Sequence, residues 1–345
     1  MSNARSAVLA LCLSAALFSC GPGTLVPSVP EPPRSAGSRA DFDAKVSLGV
    51  ALARVRGQSL VSIELDQRRQ PAEALLALAR ARDDLQLIED FGGANAQPDF
   101  VQLGRAIDDA IGRLRRPDKS GALTEALAVA GRATLGIEAQ FVGETSGRPA
   151  YRASVVSLLV WGAATQYDLA VASDAGPESY REAYGLLREA QNIHEGLATL
   201  FEENANDHAR AADILLAAMF GAMPSSDPPP DLPPPDEVAA AAYMLGVLLA
   251  DDHGAVSLPP RNRLAYITPL LEEALGTYES GEAGVADVLL QKVRESLCCP
   301  QTTAGDVLDI ELARLSTAIR AGAADHDIAA LVEEGSALAA EAAEN

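Results

Sequence analysis

"DFVQLGRAIDDAIGRLR", residues 99–115, decides how the rest of the chain is read. Phe100, Leu103, Ile107, Ile111 and Leu114 recur at three- and four-residue intervals, so on a helix of about 3.6 residues per turn they share one face. Arg105, Asp108, Asp109 and Arg113 fall between them, on the other side. Asp99, behind Pro98, suits an N-cap, because its carboxylate can accept from an amide that has no partner in the first turn. The stretch therefore predicts one amphipathic helix with a buried stripe and a solvated face.

The same period continues outward. Residues 72–91 place Leu75, Leu78, Leu85, Ile88 and Phe91 on one stripe, and 177–203, opening at Pro177, do the same with Tyr180, Tyr184, Leu187, Leu197 and Phe201. Residues 149–172 are almost wholly apolar around Trp161 and read as a central core helix. Further helices are expected at 41–56, 121–140, 206–222, 237–250, 268–280, 283–298, 304–321 and 326–343. Thr268-Pro269 reads as an N-cap followed by proline at the first helical position, and Thr303 with Asp306 as a capping box with Asp in place of Glu. Two stretches alternate like strands, "SLVSIELDQ" (59–67) and "GIEAQFVG" (136–143); each is expected to be helix or extended loop. Only 4% of residues are aromatic and Ala is abundant, which favours closely packed helices over sheets.

"PSSDPPPDLPPPDE" (224–237) interrupts the pattern, since proline lacks a donor and cannot continue a helix. It separates a helical region at 41–222 from an acidic helical region at 237–345, with residues 223–236 as the linker. The fold class this implies is all-α: antiparallel helix pairs forming an irregular α-solenoid or a helical bundle.

The amino terminus gives an address. Residues 1–19 have one positive charge, Arg5, and an apolar run from Ala7 to Phe18, as in a secretory signal. That run is shorter than the roughly 20 apolar residues that span a bilayer. Its end, Leu17-Phe18-Ser19-Cys20, resembles the lipobox of bacterial lipoproteins. The resemblance implies cleavage before Cys20, a diacylglycerol thioether on its sulfur and a membrane anchor through that lipid. Gly21, where an inner-membrane lipoprotein commonly has Asp, points to the outer membrane, facing the periplasm. Stable anchoring takes two or more acyl chains, each buried methylene contributing about 0.8 kcal/mol. Residues 20–40, rich in Pro and Gly, then read as a tether that extends about 3.1 Å per residue where proline holds it in polyproline II.

A second resemblance concerns the body. Leu275-Gly276, Tyr278, Gly281, Ala286, Leu290, Val293 and Pro300 are similar to the helix-pair pattern of tetratricopeptide repeats. Ala212, Leu216, Met219 and Pro224 fit its second helix, and Leu245-Gly246 its first. No 34-residue period holds between copies. Lipoproteins associated with tripartite (TRAP-type) transporters combine a lipobox with degenerate helices of this kind, and the overall plan is similar.

Charge narrows the partners. The chain carries a formal net charge of −21, and all of the excess lies after residue 150, where 10 basic residues face 31 acidic ones. Such a surface repels nucleic-acid phosphates and anionic lipid, so no nucleic acid is expected and membrane contact falls to Cys20. A protein partner, if steered by charge, would be basic.

Of four cysteines, Cys12 lies in the signal, and Cys298 and Cys299 are adjacent. Their Cα atoms would stand about 3.8 Å apart, below the usual disulfide range of about 4.4–6.8 Å, so a bridge between them needs a strained ring. Two free thiols at a helix end are the expectation; a vicinal disulfide, an intermolecular bridge and a soft-metal site are the alternatives. The acidic neighbours of the histidines, Asp207-His208, Asp251-Asp252-His253 and Asp325-His326-Asp327, read as helix-end caps with solvated imidazoles, and no metal site is expected. No nucleophile elbow, phosphate-binding loop, dinucleotide fingerprint or zinc-protease motif is present. The expectation is a non-enzymatic, cofactor-free, lipid-anchored adaptor or scaffold. The alternative is a lipid-anchored carrier of a small apolar ligand, like the transporter-associated lipoproteins.

Overall fold

The structure is a computed structural model, and it describes residues 36–89, 98–116, 122–172, 176–198, 206–256, 266–296 and 303–344. The signal segment, most of the tether, Cys20, Phe91, Phe201, Cys298 and Cys299 lie outside the described residues. The described residues form twelve α-helices and no strand: α1 Ala36–Gln67, α2 Pro71–Glu89, α3 Pro98–Leu114, α4 Ala122–Phe141, α5 Pro149–Ala172, α6 Gly176–Ala198, α7 Asn206–Ala222, α8 Pro235–His253, α9 Ile267–Glu279, α10 Ala283–Ser296, α11 Thr303–Arg320 and α12 Asp325–Glu344. One compact unit runs from Phe42 to Asn345, and Met1–Asp41 is a separate unit of which only the start of α1 is described. The fold is all-α, built from neighbouring helix pairs.

The strand-like stretch 59–67 is the end of α1. Val61 and Leu65, one helical turn apart, are fully buried, and Ile63 packs half-buried beside them. A helix buried on several sides accepts apolar residues off a single stripe, so its pattern imitates alternation. Likewise 136–141 completes α4, followed by a 3₁₀ turn at Gly143–Gly147.

The periodic stretch at 99–115 forms α3, with Phe100, Leu103, Ala106, Ile107, Ala110 and Leu114 buried. The helix starts one residue earlier than expected. Pro98 is its first residue, where the missing N–H costs nothing, and Asp99 lies inside the first turn rather than at the cap. α3 runs antiparallel to α4: Arg113 reaches Glu125 at 3.8 Å at one end, while the Asp99 carboxylate lies against Gly136 at the other. Phe100 and Phe141 meet edge to face, with ring centroids 5.3 Å apart. In α9, Thr268 likewise falls within the helix, which begins at Ile267.

α5 is the central helix, packed against both α6 and α8. Tyr151, Val156, Val160, Ala163 and Tyr167 are buried along it, whereas Trp161 lies only half-buried at its edge. Of the described helices it alone is long and apolar enough to cross a membrane, and half of that apolar window is buried within the body. Because α8 packs on α5, the regions on either side of the Pro-rich segment share a core. The segment lies on that core as a surface connection: the Tyr167 hydroxyl donates to the Pro233 carbonyl at 3.0 Å, and Arg68 reaches Asp227 at 2.8 Å.

The helices expected at 268–280 and 283–298 are present as the neighbouring pair α9 and α10. Gly281, with φ of +88°, turns the chain between α9 and α10, and Ala286, Leu290 and Val293 are buried on α10. The Tyr278 hydroxyl donates to the Ala323 carbonyl at 2.6 Å, tying α9 to the turn before α12.

Candidate functional site

A groove of about 680 Å³ lies along the α3–α4 pair. Pro98, Val101, Gln102, Arg105, Ala106, Asp109 and Arg113 line it from α3, and Glu125, Ala126 and Val129 from α4. Ala106 of α3 and Ala126 of α4, both buried, line it with small side chains that leave it unfilled. Val101 stands on its wall, 37% exposed, off the buried stripe of α3. The groove is open to solvent along its length.

Its charges divide into two kinds. Arg113 donates to Asp109 at 2.9 Å and also reaches Glu125 at 3.8 Å, so one guanidinium is shared by two carboxylates at one end. Arg105, exposed toward the other end, has no ion-pair or hydrogen-bond partner among the described residues. What the arrangement offers is a largely apolar hollow with one guanidinium, Arg105, that has no partner among the described residues.

Two polar clusters lie elsewhere in the body. In the first, Arg54 of α1 donates to Asp84 of α2 and Glu182 of α6, each at 2.9 Å, and Arg80 of α2 donates to Glu182 and Glu178 at 3.0 Å. Burial pushes the Asp84 carboxyl up to about 6, against the opposing pull of Arg54. The hollow beside this cluster, lined in part by Gln58, Arg80 and Arg181, is only about 10 Å³. That is near the minimum for one water molecule, so the cluster fastens three helices and leaves no room for a substrate. On the other side of α1, Arg56 pairs with Glu189 of α6 and reaches Glu138 of α4 at 3.5 Å; Glu138 accepts from Tyr151 of α5 at 3.0 Å.

The second cluster corrects the reading of the histidines. Asp207-His208 and Asp251-Asp252-His253 are not separate solvated caps, because His208 Nδ1 lies 2.8 Å from Asp252 Oδ1, joining α7 to α8. His194 is buried on α6, its Nε2 3.3 Å from Asp213 of α7. Burial holds the His194 and His253 imidazoles below their ordinary pKa, with Asp213 and Asp252 pulling the other way. Asp251 accepts from Lys292 of α10 at 2.7 Å. Among the described residues no set of three or more His, Cys, Asp or Glu side chains is placed to hold a metal ion. His326, at the start of α12, is exposed as expected.

None of the groove residues was singled out from the sequence as a site. The available signal was Val101: a branched apolar residue on the outward side of an otherwise clean amphipathic helix. Cys20, Cys298 and Cys299 lie outside the described residues, so the structure does not place them. Compared with known proteins, the chain matches no protein family, no curated protein and no solved structure.

Proposed function

We propose that the protein is a lipid-anchored adaptor of the bacterial envelope, held at the membrane by an acylated Cys20 and working by binding another protein. The observation that carries the binding reading is the open α3–α4 groove. Small-molecule sites enclose most of their ligand's surface, typically 70–90% of it. A trough with an exposed wall suits an elongated occupant that brings its own cover, which favours an adaptor over a carrier. The acidic second part of the chain, with its 10 basic and 31 acidic side chains, adds attraction for a basic partner surface. Helix pairs of the tetratricopeptide-like kind supply such surfaces by repeated packing. The lipobox residues Leu17, Phe18, Ser19 and Cys20 support the anchor, and Gly21 supports the outer membrane.

The test is native mass spectrometry of the protein extracted gently from its own membranes. The expected species begins at an acylated Cys20, holds a polypeptide partner and carries no stoichiometric apolar small molecule. A free thiol at Cys20 or a retained leader overturns the anchor. A bound apolar small molecule in place of a polypeptide overturns the adaptor in favour of the carrier.

A further inference from the structure

We infer that the α3–α4 groove receives an amphipathic helix of a partner protein, one that presents a carboxylate beside its apolar stripe. The inference rests on the adaptor reading and names the chemistry of the segment that the adaptor takes. Three features of the groove converge on it.

The first is shape. The lining residues of α3 run from Pro98 to Arg113, about 22 Å at a rise of about 1.5 Å per residue. α4 lines the groove over one turn, from Glu125 to Val129, and a trough along a helix pair is the geometry into which a third helix lays its apolar face. The second is the floor. Ala106 and Ala126 leave the hollow, and Pro98, Val101 and Val129 give it apolar sides, so one or two large apolar side chains of the incoming helix would fill it.

The third is charge complementarity. At one end the Arg113 guanidinium is already engaged, shared by Asp109 and Glu125. Arg105, one turn along α3 from Val101, is left over. A carboxylate placed about one turn from the seated apolar side chain would meet its guanidinium, whereas an ammonium there would be repelled. The groove residues also belong to the part of the sequence where basic and acidic residues balance.

The experiment uses the full-length chain and three fluorescent 18-residue Ala-rich helical peptides. They share one leucine stripe and differ only in carrying Glu, Gln or Lys beside it; binding is read by fluorescence anisotropy. The Glu peptide is expected to bind about fivefold more tightly than the Lys peptide, the scale of one surface charge contact. Arg105→Glu should reverse that order, and its exposed position leaves the fold intact, checked by circular dichroism. Ala126→Leu, which plugs the floor, should abolish binding of all three. If Ala126→Leu disturbs the fold, Val101→Lys on the exposed wall should produce the same loss. Equal binding of the three peptides, or an order unchanged in Arg105→Glu, overturns the inference and leaves the groove as a docking site. Failure of all three to bind overturns the groove itself as the adaptor's docking surface.

Discussion

Gly57 on α1 and Gly185 on α6 lie backbone against backbone. A Cβ built on Gly57 would stand 2.4 Å from the Gly185 carbonyl oxygen, and one on Gly185 would stand 3.0 Å from the Gly57 oxygen. Neither contact is with a side chain that could swing away. The close approach also sets the position of Arg54, about one turn before Gly57, and Arg56, the preceding residue, which leave α1 to reach carboxylates on α6. Gly57→Ala is therefore expected to force the helices apart and to cost at least about 1–3 kcal/mol, the usual scale of overpacking. Urea denaturation of the variant checks it, and an unchanged midpoint would contradict the crossing.

The opposite result is expected at Gly276, in the last turn of α9, where nothing lies within 4 Å of a built Cβ. Here glycine only loosens the helix. Gly276→Ala should raise stability by about 0.5–1 kcal/mol through the lower entropy of the unfolded chain. Together the two substitutions separate a glycine needed for contact from one that is not, by the sign of the change in the same assay.

The contrast shows what the sequence could reveal. The stripe Phe100, Leu103, Ile107 and Leu114 was readable because one face of α3 is buried and the period is local. Gly57 and Gly185 are 128 residues apart, and no local pattern tells that they meet. The same is true of Arg54 with Glu182 and of His208 with Asp252: each was visible as a charged residue on a helix, but pairing is a tertiary fact. Trp161 misleads for a related reason. In a helix apolar on all sides the sequence does not say which side faces the centre, and its largest side chain lies at the edge. At the groove, Val101 was visible and out of place, but the hollow beside it is lined by Ala106 and Ala126 from separate helices, and that they line one groove is a tertiary fact.

His194 gives a pH prediction. Its pKa is lowered by burial, so between that value and the ordinary one near 6.5 the unfolded chain binds a proton that the folded chain does not. Stability from this group is complete above about pH 6.5 and is lost as the pH falls through that window. Asp213, half-exposed, works against the shift by favouring the charged imidazole. Asp213→Asn should therefore change little near pH 8, where a surface partner of a neutral imidazole matters little. It should steepen the loss of stability on acidification. Thermal melts of both proteins across pH 5–8 check this, and parallel curves would contradict it.

Arg54 gives the last prediction, with the opposite slope. It is the shared cation of Asp84 and Glu182, whose side chains are only 8% and 11% exposed. Arg54→Met keeps the packing of the stem but leaves the buried Asp84 carboxylate without a guanidinium and Glu182 with Arg80 alone, which should cost about 3–5 kcal/mol near pH 7.5. Asp84 already has its pKa raised by burial to about 6, against about 3.9 in an unfolded chain. The folded state thus holds this proton more tightly, so this group alone adds stability as the pH falls from about 6 toward 4. Without Arg54 to favour the charged form, the pKa of Asp84 should rise further, and the carboxyl should be neutral in the folded variant near pH 5. The deficit of Arg54→Met against the parent protein is expected to shrink clearly between about pH 7.5 and pH 5 in urea denaturation. A deficit equal at both pH values would mean that Asp84 does not depend on Arg54 for its charge balance.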